Sequence, residues 1–290
     1  MYELTYNTTA SKYANLALEL DIARKAGFSS VEIIAPKVNA YLNAHHSKIE
    51  LNALFSDLEV KGIGALLDIE RQDADLNRML LEAEQLFKVA KLVNSKGVQI
   101  VTGPLDFRAV ENFNHNISYC GYQGLLKYSL QEKFIKTSTN LKLLADLAKD
   151  YGLIIYLEAL CWTPLNTLDH QQKLLEMTNR DNVKIVLDFW HSYVSGDGPE
   201  SISKLNPEFL YGVHVCDALP YMGGVPNEEL FRDIETGQGI LPLQELVDAV
   251  KTTGYSGWWC SETFSKKQQQ ENSYEVAIAM KKQLDQLINS

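Results

Sequence analysis

Apolar positions along the chain fall into two alternating rhythms. Short β-branched runs occupy Glu3 to Tyr6, Ser30 to Ile34, Ile63 to Ile69, Val98 to Val101, Leu153 to Glu158, Val183 to Asp188, Leu210 to Val215 and Gly257 to Glu262. Between them lie segments with apolar residues at helical spacing, among them Ala14 to Ala26, Arg78 to Ser95, Lys133 to Tyr151 and Leu241 to Thr253. Gly27, Gly97, Gly152 and Gly254 stand where these helices should end, each able to take the left-handed backbone that turns the chain into the next strand. The strand runs are nearly continuous in apolar character, as parallel strands covered on both faces require. Eight such units predict an α/β fold, a (β/α)8 TIM barrel forming a single domain over 1–290. An open doubly wound sheet is the alternative, but no G-x-G-x-x-G follows the first strand. The recurrence lies in the elements, since no sequence repeat accompanies it.

A single connection is out of proportion. Residues 103–130, after the fourth strand, are rich in Asn, Gly and aromatics, including Phe107, Phe113, Tyr119 and Tyr122. Long connections inside compact domains are usually lids or binding loops, and a lid or insert is expected here.

Composition narrows the partners. With 46% apolar and 22% charged residues the chain can bury a large core, so disorder is excluded as its main state. A net charge of -10 disfavours broad attraction to nucleic-acid phosphates, which rests on Lys and Arg. The N-terminus has no basic stretch followed by an apolar one, and no run reaches the ~18 apolar residues of a membrane span, so a cytoplasmic protein without a membrane partner is expected. Cys120, Cys161, Cys216 and Cys260 stand singly with no C-x-x-C, which reads as reduced core cysteine.

The active site of such a barrel sits at the C-terminal ends of the strands, so polar residues closing an apolar run are where chemistry is sought. Four successive strands each supply one: Glu158, Asp188, His214 and Glu262. Neighbouring strands are about 4.8 Å apart, so these side chains should converge. Three carboxylates and an imidazole cannot share a desolvated pocket unpaired, and a divalent cation resolves the conflict. The oxygen-rich donor set suits Mn2+, Mg2+, Co2+ or Zn2+, with Mn2+ the expected ion. Singly, each residue also reads as a helix cap, a loop ion-pair partner or a satisfied core histidine. His191, three residues past Asp188, is expected to bind substrate, to support the centre or to ligate a second metal, with Phe189 and Trp190 before it supplying apolar walls. Asp217 repeats that spacing after His214 and is expected to orient an imidazole or accept a substrate hydroxyl. Arg232 and the turn Gly237-Gln238-Gly239 precede a helix, where backbone N–H groups could approach a ligand. Trp258 and Trp259 should face opposite sides of the last strand.

These residues resemble the xylose-isomerase-like barrels, a family that includes ketose 3-epimerases, hydroxypyruvate isomerases, inosose isomerases and, more distantly, endonuclease IV. The matching pieces are Y-L-E-A at 156–159, V-L-D-F-W-H at 186–191, G-V-H-V-C-D at 212–217, R-D-I-E-T-G-Q-G at 232–239 and C-S-E-T-F at 260–264. The inosose (2-keto-myo-inositol) isomerase-like members are the most similar of these. The resemblance implies Glu158, Asp188, His214 and Glu262 as metal ligands, Glu158 and Glu262 as acid and base, and His191 as a substrate-binding histidine. It departs from the tagatose-epimerase type, where a Glu and an Arg stand at the positions held here by Pro164 and Pro220. The endonuclease branch needs further histidines and a D-x-H where this chain reads Phe231-Arg232-Asp233.

The implied chemistry is proton transfer α to a carbonyl through a metal-stabilised cis-enediolate, giving sugar or cyclitol isomerisation or epimerisation. A metal-dependent dehydratase of the inosose or dehydroshikimate type stays open, as does a non-catalytic sugar- or protein-binding barrel. Few basic residues are evident around the site beyond Arg232 and Lys127, which favours an unphosphorylated polyol. The family resemblance suggests a homodimer or homotetramer.

Overall fold

The computed structural model describes residues 2–289. Eight parallel strands close into a barrel in sequence order. They are β1 (Glu3–Asn7), β2 (Ser30–Ile34), β3 (Glu59–Leu66), β4 (Gly97–Val101), β5 (Ile154–Glu158), β6 (Val183–Asp188), β7 (Leu210–Val215) and β8 (Trp258–Ser261). The barrel shuts where Glu3, Leu4 and Thr5 pair with Trp258, Trp259 and Cys260. Among the surrounding helices are Leu16–Lys25, Asp73–Leu92, Leu130–Asp150, Leu168–Thr178, Leu243–Thr252 and Ser273–Asn289. Their starts are set by side chains that take the free N–H groups of the first turn: Asn15, Thr167, and Ser129 in a reciprocal pair with Glu132. This is the single-domain (β/α)8 barrel that the apolar rhythm predicts. No helix among the described residues is long and apolar enough to cross a membrane.

Gly27, Gly152 and Gly254 take φ values of 81°, 66° and 87°, the left-handed turns expected of them. Gly97 does not. The preceding helix ends instead through Asn94 at φ 53°, and Gly97 opens β4, where a Cβ would stand 2.7 Å from the Tyr211 ring. The third strand also departs from the Ile63 to Ile69 reading, running earlier as Glu59–Leu66. Its Gly62 and Gly64 point inward and give their space to Tyr156 and Gln99 from other strands, so the strand carries a weak apolar signature. The Leu66 to Ile69 run ends it by turning at Asp68, which has φ 53°.

Trp258 and Trp259 divide as alternation requires. Trp258 joins Tyr156, Val186, Cys260 and Tyr211 in the inner cluster. Trp259 belongs to the larger core between sheet and helices, edge-on to Tyr2 at 5.9 Å. Cys161, Cys216 and Cys260 are buried free thiols, whereas Cys120 is exposed, contrary to its reading as core.

The 103–130 segment is anchored at its stem. Both oxygens of buried Glu70 accept the Gly103 N–H, Asp68 accepts the Leu105 N–H, and Trp162 Nε1 donates to the Pro104 carbonyl at 3.0 Å. It carries a helix, Phe107–Asn114, capped by Asp106. Beyond that helix most residues up to Tyr122 are exposed.

Candidate metal centre

Glu158 and Asp188 are the last residues of β5 and β6, and His214 pairs directly with Asp188 across β6 and β7. Glu262 follows β8, its N–H still donating to the Val215 carbonyl at 3.1 Å. Parallel register therefore brings four polar strand ends to one level. Each offers a ligand atom within 4.8 Å of the others, and all four are buried. His214 Nδ1 faces the carboxylates, 3.4 Å from Glu262 Oε2 and 3.9 Å from Glu158 Oε1.

The residues fit a divalent cation. Neither ring nitrogen of His214 has an aligned hydrogen-bond partner among the protein atoms, although the ring is fully enclosed. Three carboxylates around it outnumber the single guanidinium present, a charge excess that a buried site does not tolerate alone. Hard oxygen donors with one imidazole match Mn2+, Mg2+, Co2+ and Zn2+. The two glutamates are pushed apart in acidity. Burial raises Glu158 well above the usual carboxylate range, and Glu262 beside it adds to the rise. Burial would raise Glu262 too, but His214 and Arg232 hold it below that range.

Arg232 enters the cluster. Its Nη2 donates to Asp188 and Glu262, and Nη1 donates to Glu228 Oε1 at 2.6 Å. Phe264 covers the guanidinium at 4.3 Å, with Trp190 at 5.4 Å. Burial lifts Glu228 to about 6, against the pull of Arg232. His191 lies where Asp188 sends it: Asp188 Oδ1 accepts the His191 N–H at 2.8 Å and so caps the helix Phe189–Ser195. The His191 ring accepts the Cys161 N–H at Nδ1 and presents Nε2 3.8 Å from Glu158 Oε1 and Glu228 Oε1. Burial lowers this imidazole to about 4, so it is neutral near pH 7.

Asp217 is placed differently. Its carboxylate accepts the N–H groups of Ala218, Gly237, Gly239 and Leu241 at 2.8 to 3.0 Å. The Gly237 and Gly239 N–H groups, expected to be open to a ligand, are thus taken by Asp217. Gly239 is required because a Cβ there would press into the Asp217 carboxylate.

Three polar residues of the centre went unread in the sequence. Gln99 in β4 donates to Glu158 Oε2 at 2.8 Å, Glu32 in β2 lies 2.9 Å from His214 Nε2, and Glu228 pairs with Arg232. For Glu32 the signal was present as a carboxylate inside the apolar S-V-E-I-I. Glu228 sits in a polar connection that offers no such contrast.

A cavity of about 700 Å3 adjoins the centre through Gln99, with Ile34, Leu66, Arg71 and Glu82 among its walls. A second, of about 210 Å3, shares Ile34 and reaches Phe264, Lys12 and Lys37. The basic groups there are largely met, Arg71 by Glu82 and Lys37 by Glu19, while Lys127 stays on the surface near Tyr128.

Residues 20–284 match the family described as xylose isomerase-like TIM barrel. The inosose isomerase of Halalkalibacterium halodurans is 24% identical over 281 residues, covering 94% of this chain and 92% of that protein. The inosose dehydratase of Lacticaseibacillus casei is 25% identical over 187 residues, 58% of this chain and 61% of that one. A crystal structure of IolI protein with a binding zinc atom superposes with a TM-score of 0.86 at 23% identity, covering 99% of this chain and 98% of that chain.

Proposed function

The chain belongs to the xylose isomerase-like TIM barrel family, and from that premise we propose that it is a divalent-metal-dependent isomerase or epimerase of a ketose or inosose. The observation carrying this reading is the approach of Glu158, Asp188, His214 and Glu262 to within 4.8 Å at the C-terminal end of the barrel. A divalent cation held by these four supplies charge stabilisation that acidifies a C–H bond beside a carbonyl. Mn2+ is the ion we expect, and the zinc atom bound in the IolI crystal structure supports Zn2+ as the alternative.

The chain's own residues then divide the work. Glu158 and Glu262 rise from opposite sides of His214, so one carboxylate can take a proton from carbon and the other can return it. Return to the other face of the same carbon is epimerisation, and return to the neighbouring carbon is isomerisation. Neutral His191, with Nε2 turned inward, donates a hydrogen bond to a substrate hydroxyl. Arg232 steadies Asp188 and Glu262 and is near enough to meet a substrate oxygen. We assign no substrate contact to Asp217, whose oxygens already hold four backbone donors. Residues 103–130 form the lid, closing over the cavity to exclude water. We further place the enzyme in the cytoplasm, acting on a small sugar or polyol as a homodimer or homotetramer, with no nucleic-acid or membrane partner.

The test is incubation in D2O with Mn2+ and a panel of ketoses and inososes. Deuterium entering the carbon α to the carbonyl is expected for one of them. No exchange on any panel member, with the ion shown to be bound, would sink the reading. Similarity to the L. casei inosose dehydratase supports a second reading, loss of water from the same deprotonated substrate. Product mass separates the two.

A further inference from the structure

One buried carboxylate near the centre has no task in the chemistry above. Glu32 is 5% exposed and lies on the far side of His214 from Glu158 and Glu262. Its Oε2 stands 2.9 Å from His214 Nε2 and accepts from Asn7 Nδ2 at 2.8 Å; its Oε1 accepts the Tyr156 hydroxyl at 2.6 Å. The Cys260 thiol completes the set at 3.8 Å from Oε2. Four strands, β1, β5, β7 and β8, thus each send a polar group to one carboxylate in β2. A carboxylate inside a barrel is costly unless its oxygens are met in this way.

The space for this arrangement comes from β3. At Gly62 a Cβ would collide with the Tyr156 hydroxyl, and at Gly64 it would collide with the Gln99 amide that holds Glu158. Two inward positions of one strand are left empty so that the Tyr156 hydroxyl can reach Glu32 and the Gln99 amide can reach Glu158. An imidazole that ligates a cation is neutral and carries one N–H, and its partner decides which nitrogen that is. Glu32 Oε2 stands 2.9 Å from Nε2, off the ring's hydrogen-bond line but closer than either carboxylate on the Nδ1 side, so a small turn of the ring places the proton at Nε2 and the Nδ1 lone pair toward Glu158 and Glu262.

We propose that Glu32 is a positioning residue that fixes the orientation and tautomer of His214 and so sets the affinity of the centre for its cation. This rests on the metal reading, and the experiment keeps the two apart. The full chain, stripped with a chelator, is titrated with Co2+, following its visible absorption and its affinity by chelator competition. Partners of a ligating imidazole typically contribute about 10- to 100-fold in metal affinity. Glu32→Ala should lose that much and change the Co2+ spectrum, and Glu32→Gln should lose less. Tyr156→Phe and Gly62→Ala, which leave Glu32 and every ligand in place, should shift affinity in the same direction. In a His214→Ala background, Glu32→Ala should cost nothing further. If Glu32→Ala fails to fold by circular dichroism, Glu32→Gln and Gly62→Ala carry the test. Wild-type affinity and spectrum in the folded Glu32 variants would overturn the proposal, as would an undiminished Glu32→Ala loss without His214. A wild-type chain that takes up no Co2+ would overturn the metal reading itself.

Discussion

Arg232 bridges Asp188 and Glu262: its Nη2 donates to Asp188 Oδ2 at 3.0 Å and to Glu262 Oε2 at 2.9 Å, joining the ends of β6 and β8 through one nitrogen. Removing one partner from a buried ionic cluster leaves the others desolvated and unpaired. Arg232→Met should therefore cost about 3–5 kcal/mol in the metal-free chain. Saturating Mn2+ should recover much of that loss, because the cation meets the same carboxylates. Thermal melts with and without Mn2+ check this, and equal losses in both conditions would detach Arg232 from the centre.

Glu158→Gln and Glu262→Gln keep shape while removing the proton acceptor. Each should lower turnover by about 10^2- to 10^4-fold with the circular dichroism spectrum unchanged. Near-normal turnover in either variant would take that residue out of the acid/base pair.

Asp217→Ala deprives four backbone N–H groups of their acceptor at once. The turn at Gly237–Gly239 should loosen, with a stability loss on the order of 1–3 kcal/mol by denaturant melt. A rise in KM with unchanged stability would instead mark Asp217 as a substrate contact.

Burial raises Glu70 from 4.5 to about 8, although the Gly103 N–H it accepts pulls the other way. A raised value in the fold means that the protonated form is favoured there. That contribution is complete below 4.5 and is lost as pH rises through about 8. The slope is about 1.4 kcal/mol per pH unit across that window. Glu70→Gln still accepts the Gly103 N–H and should melt with a flatter pH profile. Parallel profiles for the two proteins would refute the assignment.

Shortening the exposed tip between His115 and Tyr122, with the Gly103–Leu105 stem intact, should raise KM and lower kcat if this segment closes over substrate. Unchanged steady-state constants would dispose of the lid.

The barrel and its four polar strand ends were legible because the two signals are independent and coincide. Apolar rhythm gives the strands, and an acid or imidazole closing four successive runs contradicts that rhythm at equivalent places. Gln99 was not legible, since one amide in a short strand looks like any half-exposed position until its neighbour is known. The extent of β3 was obscured for a related reason: Gly62 and Gly64 remove the strand's own apolar signal, and the side chains that need the space lie on β4 and β5. The four N–H groups around Asp217 were not legible, because spacing fixes where a carboxylate stands but not which N–H groups fold back onto it.

Asp188 commits its two oxygens to different structures, Oδ1 to the first turn of Phe189–Ser195 and Oδ2 to the guanidinium of Arg232. One short side chain therefore ties the N-terminus of the helix that bears His191 to the guanidinium that also holds Glu262, so the ends of two strands and the start of a helix share a single planar anchor.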